Sequence, residues 1–213
     1  ENPSSYLVPP PDAITYGTVL AACERAEQWE QVLKYAREMT KKNLELDGLA
    51  VTSCLHACQQ LGLADEALRY LQIMKSLPDV VEQTARLERT GARKPLSGPD
   101  AVAYRLAISA CARGGAWKEG IRLLEEYKSD TEQFEDVVAY TAAITGCEYA
   151  GQWKEALFLL DKMRKDGVQP NEVTLAAVIG ACATACANEA KTRKITQTPE
   201  PLTKALQLLD IVK

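Results

Sequence analysis

The amino-acid sequence predicts an all-α protein, a right-handed α-solenoid of about five stacked helix-turn-helix repeats. A cysteine recurs at intervals of 35 or 36 residues, interrupted once by an interval of 53. In three places small residues and a tryptophan follow this cysteine at fixed distances, in the stretches AACERAEQW, SACARGGAW and GCEYAGQW. A fixed period of this length is typical of repeat proteins. The recurring cysteines are Cys23, Cys58, Cys111, Cys147 and Cys182.

Alignment on these cysteines divides the chain into an N-terminal extension, residues 1–12, and a repeat array, residues 13–213. The second and fifth repeats exceed the period, so we predict insertions over 79–99 and 187–200. Both insertions combine turn residues with basic side chains. Long loops of this kind are commonly disordered or contact a protein partner, and direct contact with RNA is the alternative interpretation. Positions are counted below from the first residue of each repeat. Repeats 1 to 5 span 13–47, 48–100, 101–136, 137–171 and 172–213.

The first half of each repeat predicts an amphipathic helix. Apolar side chains at positions 4 and 8 share one helical face with the cysteine at position 11. Position 10 is alanine or glycine in every repeat, so two helices can approach closely there. The residues at position 4 are Tyr16, Val51, Tyr104, Tyr140 and Leu175.

The second half of each repeat predicts another helix, with apolar residues at positions 17, 20, 21, 24 and 27. Charged residues occupy the opposite face, and Gly167 with Pro170 predicts the end of the helix in repeat 4. One helix pair cannot bury both of its apolar faces, so neighbouring pairs are expected to stack. In repeat 4 the apolar face is Trp153, Ala156, Leu157, Leu160 and Met163.

Several function classes find no support in the sequence. It contains no Gly-rich phosphate loop, nucleophile elbow or HExxH motif, and His56 is its single histidine. We therefore expect no enzyme, no cofactor and no small-molecule substrate. No CxxC occurs and the recurring cysteines belong to different helix pairs, so we predict buried, reduced thiols and no metal site. No apolar run reaches the ~18 residues of a membrane helix, so no membrane insertion is expected.

The period and the residue pattern of the repeats resemble those of the pentatricopeptide repeat family. The resemblance rests on DVVAYTAAITGC and AGQWKEALFLLDKMRKDGVQPN in repeat 4, and it covers residues 13–78, 100–186 and roughly 200–213. The tetratricopeptide repeat has a different internal pattern. The resemblance implies that the protein binds single-stranded RNA with one base per repeat. It also implies a role in RNA processing, stability or translation in a mitochondrion or chloroplast, although residues 1–12 show no transit-peptide pattern.

Specific residues follow from this resemblance. In the family an aliphatic residue at position 2 sandwiches each base, and positions 5 and 35 read the edge of the base. Thr141 with Asn171 is the family's pair for adenine, and Thr52 with Asp100 is its pair for guanine. Aliphatic residues at the start of a helix also commonly just pack, which is the alternative for position 2. The sandwich candidates are Ile14, Leu49, Val102, Val138 and Val173.

The remaining positions depart from the family pattern. Repeats 1, 3 and 5 have Gly17, Arg105 and Ala176 at position 5. Position 13, often basic in the family, makes Arg25 and Arg113 candidates for phosphate contacts, with Arg105 as a third. The net charge of −4, these broken pairs and the two insertions favour an alternative function, a protein-binding scaffold subunit of a larger assembly, for example a ribonucleoprotein.

Overall fold

The computed structural model describes residues 11–77, 99–129, 134–192 and 200–212. These ranges contain ten α-helices and no strand, which confirms the predicted all-helical class. The helices are α1 (Ala13–Arg25), α2 (Trp29–Lys41), α3 (Gly48–Leu61), α4 (Ala64–Ser76), α5 (Ala101–Arg113), α6 (Trp117–Ser129), α7 (Val137–Tyr149), α8 (Trp153–Lys165), α9 (Glu172–Thr192) and α10 (Glu200–Val212).

The helices form five antiparallel pairs, and each pair comes from one repeat. The first helices α1, α3, α5, α7 and α9 pack side by side in chain order. Each second helix contacts its own partner, and α2, α4, α6 and α8 also contact the first helix of the next repeat. The apolar faces predicted from the sequence are therefore buried between successive pairs, as in a solenoid.

The described residues include more of the second predicted insertion than of the first. The insertion over 79–99 falls almost entirely on residues 78–98, which lie outside the described ranges. The insertion over 187–200 falls partly on α9, which continues to Thr192. The first helix of repeat 5 consequently has 21 residues, where α1 has 13.

The predicted core of the first helices is buried in the middle of the stack. Tyr104 and Tyr140 at position 4 are almost inaccessible, and so are the position-8 residues Ile108 and Ile144. The prediction that every position-11 cysteine is buried is wrong for Cys23, which is only half-buried. In the described part of the chain, no helix precedes α1 to cover this side of it. The buried members of the set are Cys58, Cys111, Cys147 and Cys182.

The second helices bury one position more than the pattern predicts. Position 23 holds Tyr70, Leu123 and Leu159, all of which are buried. The residue before it, at position 22, is exposed in all three repeats. Burial of position 23 widens the apolar stripe, so that the helix contacts both its own partner and the next repeat.

Close approach of successive repeats depends on small residues at the turn between the paired helices. A Cβ atom on Gly114 would lie 2.5 Å from the carbonyl oxygen of Gly62, the equivalent turn of the preceding repeat. No larger side chain fits there without moving backbone. The small residues at positions 10 and 14 therefore set the spacing between repeats.

Polar contacts join repeats on the side of the tyrosines. The Tyr104 hydroxyl donates to Glu126 over 3.0 Å, and Lys75 of the preceding repeat binds the same carboxylate. Tyr140 and Asp166 are joined in the same way by Lys128 of repeat 3. The tyrosines at position 4 thus anchor ion pairs that cross the boundary between repeats.

Candidate nucleic-acid interface

An acidic or amide side chain caps every described first helix at its N-terminus. In each repeat an aspartate or asparagine accepts a hydrogen bond from the backbone N–H three residues later, the usual N-cap arrangement. The cap precedes position 1, so from repeat 2 onward it is also the last residue of the preceding repeat, the residue predicted above to read a base as position 35. The bonds are Asp12–Thr15, Asp47–Ala50, Asp100–Ala103, Asp136–Ala139 and Asn171–Thr174, with N···O distances of 2.8 to 3.0 Å.

The aliphatic residues at position 2 form a row of exposed side chains. They stand two residues after each cap, at the same end of helices that lie side by side. Large aliphatic groups that only packed against their own repeat would be buried, whereas these are all at least two-fifths exposed. The exposed fractions are 79% for Ile14, 72% for Leu49, 42% for Val102, 56% for Val138 and 63% for Val173.

A pocket of about 370 Å³ lies between two members of this row, Val138 and Val173. Thr141 and Asn171, the predicted pair for adenine, line it together. A fully buried side chain, Thr174, connects them: its hydroxyl donates to Asn171 Oδ1 over 2.9 Å and lies 2.7 Å from the Thr141 hydroxyl.

This network determines what each of the two side chains can offer. Because the single Thr174 hydroxyl proton goes to Asn171, the Thr141 hydroxyl donates to Thr174 and its free lone pair remains an acceptor. Asn171 Oδ1 accepts two bonds, and its amide nitrogen has no partner in the described part of the chain. The pocket therefore presents one acceptor and one N–H₂ donor side by side.

The equivalent place in repeat 3 is occupied by an ion pair. Arg105 Nε lies 3.0 Å from Asp136 Oδ2, and the Tyr127 hydroxyl donates to the same oxygen over 3.1 Å. The Asp136 side chain is only 12% exposed. Arg105 lies next to Val102 and Val138 and lines the pockets on both sides of itself, of about 240 and 430 Å³.

Repeats 1 and 2 have fewer side chains arranged to contact the edge of a base than repeats 3 and 4. A pocket of about 360 Å³ between Ile14 and Leu49 contains Gly17 and Asp47, and a Cβ atom on Gly17 would meet nothing within 4 Å beyond the neighbouring backbone of its own helix. The predicted guanine pair is not linked: Thr52 donates to the Gly48 carbonyl and Asp100 caps α5. No hydrogen bond joins these two side chains within the ranges that the structure describes.

The predicted phosphate contacts Arg25 and Arg113 are exposed at the C-terminal ends of α1 and α5. Arg25 Nε donates to the Ala21 carbonyl over 3.2 Å. Arg113 lines the same pocket as Val138 and Thr141. Its charge is therefore available beside the place where the two predicted readers meet.

Two residues in or behind this pocket were not anticipated. Tyr149 stands at position 13 of repeat 4, is 60% exposed and lines the pocket with Arg113. Its signal in the sequence was an aromatic residue where repeats 1 and 3 have arginine. Thr174 gave no such signal, because its role depends on two side chains that are 33 and 3 residues away.

A polar cluster also joins repeats 1 and 2. Glu24 accepts a hydrogen bond from Ser53 and lies 2.7 Å from His56 Nδ1. His56 in turn lines the pocket that contains Val102 and Arg105. The histidine therefore lies beside the row of exposed position-2 residues, which is called the groove below, and a carboxylate holds it there.

The described residues form neither a cluster of metal ligands nor a membrane-spanning helix. No three histidine, cysteine or acidic side chains converge as metal ligands would. None of the helices in those ranges has the length and apolar character needed to cross a bilayer.

Comparison with known proteins gives family matches along most of the array. A model of the PPR repeat family matches residues 135–184, and the PPR repeat model matches residues 14–44, 50–77 and 102–130. A pentatricopeptide repeat-containing protein of Arabidopsis thaliana is 27% identical over 135 residues, 56% of this chain and 19% of its own length. Another from the same plant, named as chloroplastic, is 27% identical over 118 residues, 48% of this chain and 23% of its own. The chain therefore spans about a fifth of these relatives.

Solved structures share the fold. The maize pentatricopeptide repeat protein PPR10 superposes with a TM-score of 0.56 at 24% identity, over 96% of this chain and 24% of that one. PPR10 in complex with an 18-nt psaJ RNA element gives the same TM-score at 22% identity, over 98% and 28%. The PPR domain of Arabidopsis protein-only RNase P 1, in complex with tRNA, gives 0.58 at 15% identity, over 94% and 91%.

Proposed function

Because this chain belongs to the pentatricopeptide repeat family, we propose that it binds single-stranded RNA along the row of exposed aliphatic side chains. Each base would be held between the position-2 residues of neighbouring repeats. The role that fits is non-catalytic, in RNA processing, stability or translation. The structural relatives solved with psaJ RNA and with tRNA support RNA as the ligand.

The observation that carries the proposal is the exposure of all five position-2 side chains at one end of adjacent helices. Exposed apolar groups cost solvation free energy unless a ligand covers them. Planar bases expose π-faces that stack against apolar side chains regardless of sequence. A repeating row with one aliphatic residue per helix pair is suited to a polymer of bases.

The pocket of repeat 4 has the hydrogen-bonding groups that adenine requires. Adenine presents an exocyclic N–H₂ donor beside a ring-nitrogen acceptor. The Thr141 oxygen can accept from the first and the Asn171 amide can donate to the second. Each neutral bond contributes about 0.5–1.5 kcal/mol net, so we expect a severalfold preference for adenine.

Few phosphates would be neutralised. Arg25 and Arg113 are the exposed basic groups at position 13, and the net charge of the chain is −4. Affinity should therefore fall with salt on a shallow slope, about 0.7 in log–log units per phosphate for a single strand. A steep slope would indicate the basic insertions 79–99 and 187–200 instead.

We further propose that the protein acts in a mitochondrion or chloroplast. The chloroplastic name of one Arabidopsis relative supports this location. Fusing the full-length gene product to a fluorescent protein and imaging it in cells tests the proposal. A cytosolic or nuclear signal would contradict it.

A change of base preference tests RNA reading by repeat 4. Thr141→Asn with Asn171→Asp should move the preference at one nucleotide from adenine toward uracil, because the carboxylate introduced by the second substitution can accept the ring N–H of uracil. Aspartate also caps a helix, so α9 should be unaffected. Binding is measured with oligonucleotides that differ at single positions, and Thr40→Asn on α2 serves as the control.

Two results would count against the proposal. If the wild type binds no RNA at low salt, the scaffold function is favoured. If wild type and double variant bind RNA with the same preference, the chain binds RNA but these two residues do not read it.

A further inference from the structure

We propose that repeat 3 selects guanine, through the two terminal nitrogens of the Arg105 guanidinium. This inference rests on the RNA binding proposed above and gives a base preference to a repeat that departs from the family's pairing. It also assigns Arg105 a base contact where the sequence suggested a phosphate contact.

Arg105 stands at position 5, the place that Thr141 holds in repeat 4. Val102 precedes it on α5 and Val138 belongs to the next repeat, so the guanidinium lies between two neighbouring members of the aliphatic row. The side chain is 37% exposed. A base sandwiched between these valines would meet the arginine at its edge.

The arginine is held by its inner nitrogen. Nε donates to the Ala101 carbonyl over 3.1 Å and lies 3.0 Å from Asp136 Oδ2, with which it forms an ion pair. The terminal nitrogens Nη1 and Nη2 make no hydrogen bond within the described part of the chain. They carry four N–H groups in the plane of the guanidinium.

Asp136 is occupied fully by the protein. One oxygen accepts the Ala139 N–H that caps α7, and the other accepts the Tyr127 hydroxyl and forms the ion pair with Arg105. The carboxylate is therefore unavailable to a base and acts as a positioning group for Arg105. Tyr127 is itself stacked on Tyr104, with ring centroids 4.9 Å apart, which limits its movement.

A guanidinium that is free only at its outer end donates two parallel hydrogen bonds. Such a fork requires two adjacent acceptors, which guanine supplies as O6 and N7. Adenine places an N–H₂ donor next to N7, which opposes one arm of the fork. Cytosine offers N3 and O2, but as a pyrimidine it covers less of the two valines.

A phosphate is a poorer partner for the same group. The carboxylate of Asp136 offsets the charge of Arg105, and exposed Glu135 lines the adjoining pocket. A neutral base edge gains the directional bonds of the fork without approaching this negative charge. The ion pair therefore favours base recognition.

The test uses an RNA that the protein binds. The nucleotide that responds to Thr141→Asn with Asn171→Asp marks repeat 4, and the nucleotides on both sides of it are varied. Each is synthesised as guanine, 7-deazaguanine, adenine, cytosine or uracil. Affinities are measured for the wild type, Arg105→Lys and Arg105→Met, whose folding is checked by circular dichroism.

At one flanking nucleotide we expect guanine to bind about 5- to 150-fold more tightly than adenine, the range for a bidentate arginine contact. Replacing N7 by carbon should remove most of this preference. Arg105→Lys keeps the charge but lacks the fork, so it should lose the guanine preference. Arg105→Met should do the same without changing the salt slope.

The experiment distinguishes failure of the proposed RNA binding from failure of the guanine preference alone. Wild type that binds no RNA refutes the proposed function and this inference together. Binding that responds to the repeat 4 substitutions but shows no guanine preference, or a cytosine preference, refutes the inference alone. So does an Arg105→Met variant that weakens all bases equally and lowers the salt slope by about 0.7, because that result identifies a phosphate contact.

Discussion

Repeats 3 and 4 share one scaffold and present two different surfaces. In both, a tyrosine at position 4 anchors an inter-repeat ion pair, and a buried cysteine sits at position 11. At the groove, however, repeat 3 has Arg105 in an ion pair with Asp136, while repeat 4 has a neutral pair linked by Thr174. The position-4 tyrosines and position-11 cysteines line none of the pockets described above, so position 5 can vary while these contacts between repeats stay the same.

The largest effect that we expect is a loss of folding stability at alkaline pH, which should be shared by repeats 3 and 4. Burial raises the pKa of Cys111 and of Cys147 from 9.0 to about 12. The native chain keeps these protons and the unfolded chain releases them above about pH 9. Stability is therefore complete below pH 9 and falls as the pH rises toward 12, by about 1.4 kcal/mol per pH unit for each thiol.

Urea unfolding under reducing conditions at pH 8, 9.5 and 10.5 measures this loss. Cys111→Ala and Cys147→Ala should flatten the pH profile by equal amounts, because the two thiols occupy equivalent places. Profiles parallel to that of the wild type would show that the thiols do not titrate on unfolding. Unequal changes would break the equivalence of the two repeats.

The different grooves should appear in the cost of losing the cap. Asn171→Ala removes a cap, which typically costs about 1 kcal/mol of stability. Asp136→Ala removes a cap and also leaves Tyr127 and Arg105 without their carboxylate, so we expect about 2–4 kcal/mol. Chemical denaturation measures both at pH 7.

Asp136→Asn is the control for this prediction. It keeps the cap and loses the charge, so its stability should lie between those of the wild type and Asp136→Ala. Equal costs for Asp136→Ala and Asn171→Ala would mean that the ion pair contributes nothing beyond the cap.

Position 13 distinguishes the two repeats again, if RNA binds as proposed. Tyr149→Ala should weaken binding by about 1–3 kcal/mol, the usual contribution of an aromatic ring that stacks on a base. Because tyrosine is uncharged, the salt dependence should stay unchanged. Fluorescence titration at several salt concentrations, with Tyr35→Ala on α2 as the control, measures both quantities.

The counterpart in repeat 3 should behave in the opposite way and has the smallest expected effect. Arg113→Met should lower the salt slope by about 0.7 and reduce affinity for all sequences alike. A change in base preference with an unchanged slope would identify Arg113 as a base contact.

Much of this architecture could be predicted from spacing alone. The recurring cysteines and the apolar positions of each helix pair indicate helix pairs that must stack, and the helices confirm this. Position 23 was missed because Leu159 follows the exposed residue Phe158 and falls outside the narrow stripe that the pattern suggests. Cys23 was misjudged because burial depends on the neighbour that covers a helix, which a residue's own position does not reveal.

The groove was less predictable for a different reason. The position-2 residues could be placed by counting, but their exposure depends on how the helix ends align. Counting placed Arg105 and Asp136, 31 residues apart in the chain, at the two reading positions of repeat 3, but it did not reveal that their side chains form an ion pair. Hydrogen-bond networks such as that of Thr174 depend on distances of a few tenths of an ångström, which a sequence pattern does not contain.

The caps restrict how such a protein could change its preference in evolution. A side chain at position 35 must first cap the helix that follows, and only serine, threonine, aspartate, asparagine and glycine do so well. A random substitution at Asn171 would therefore more often weaken the fold than create a new specificity. Exchange of asparagine and aspartate needs one nucleotide change in the gene and preserves the cap, so it is the open route. Position 5 has no such duty, and it holds glycine, threonine, arginine and alanine in this one chain.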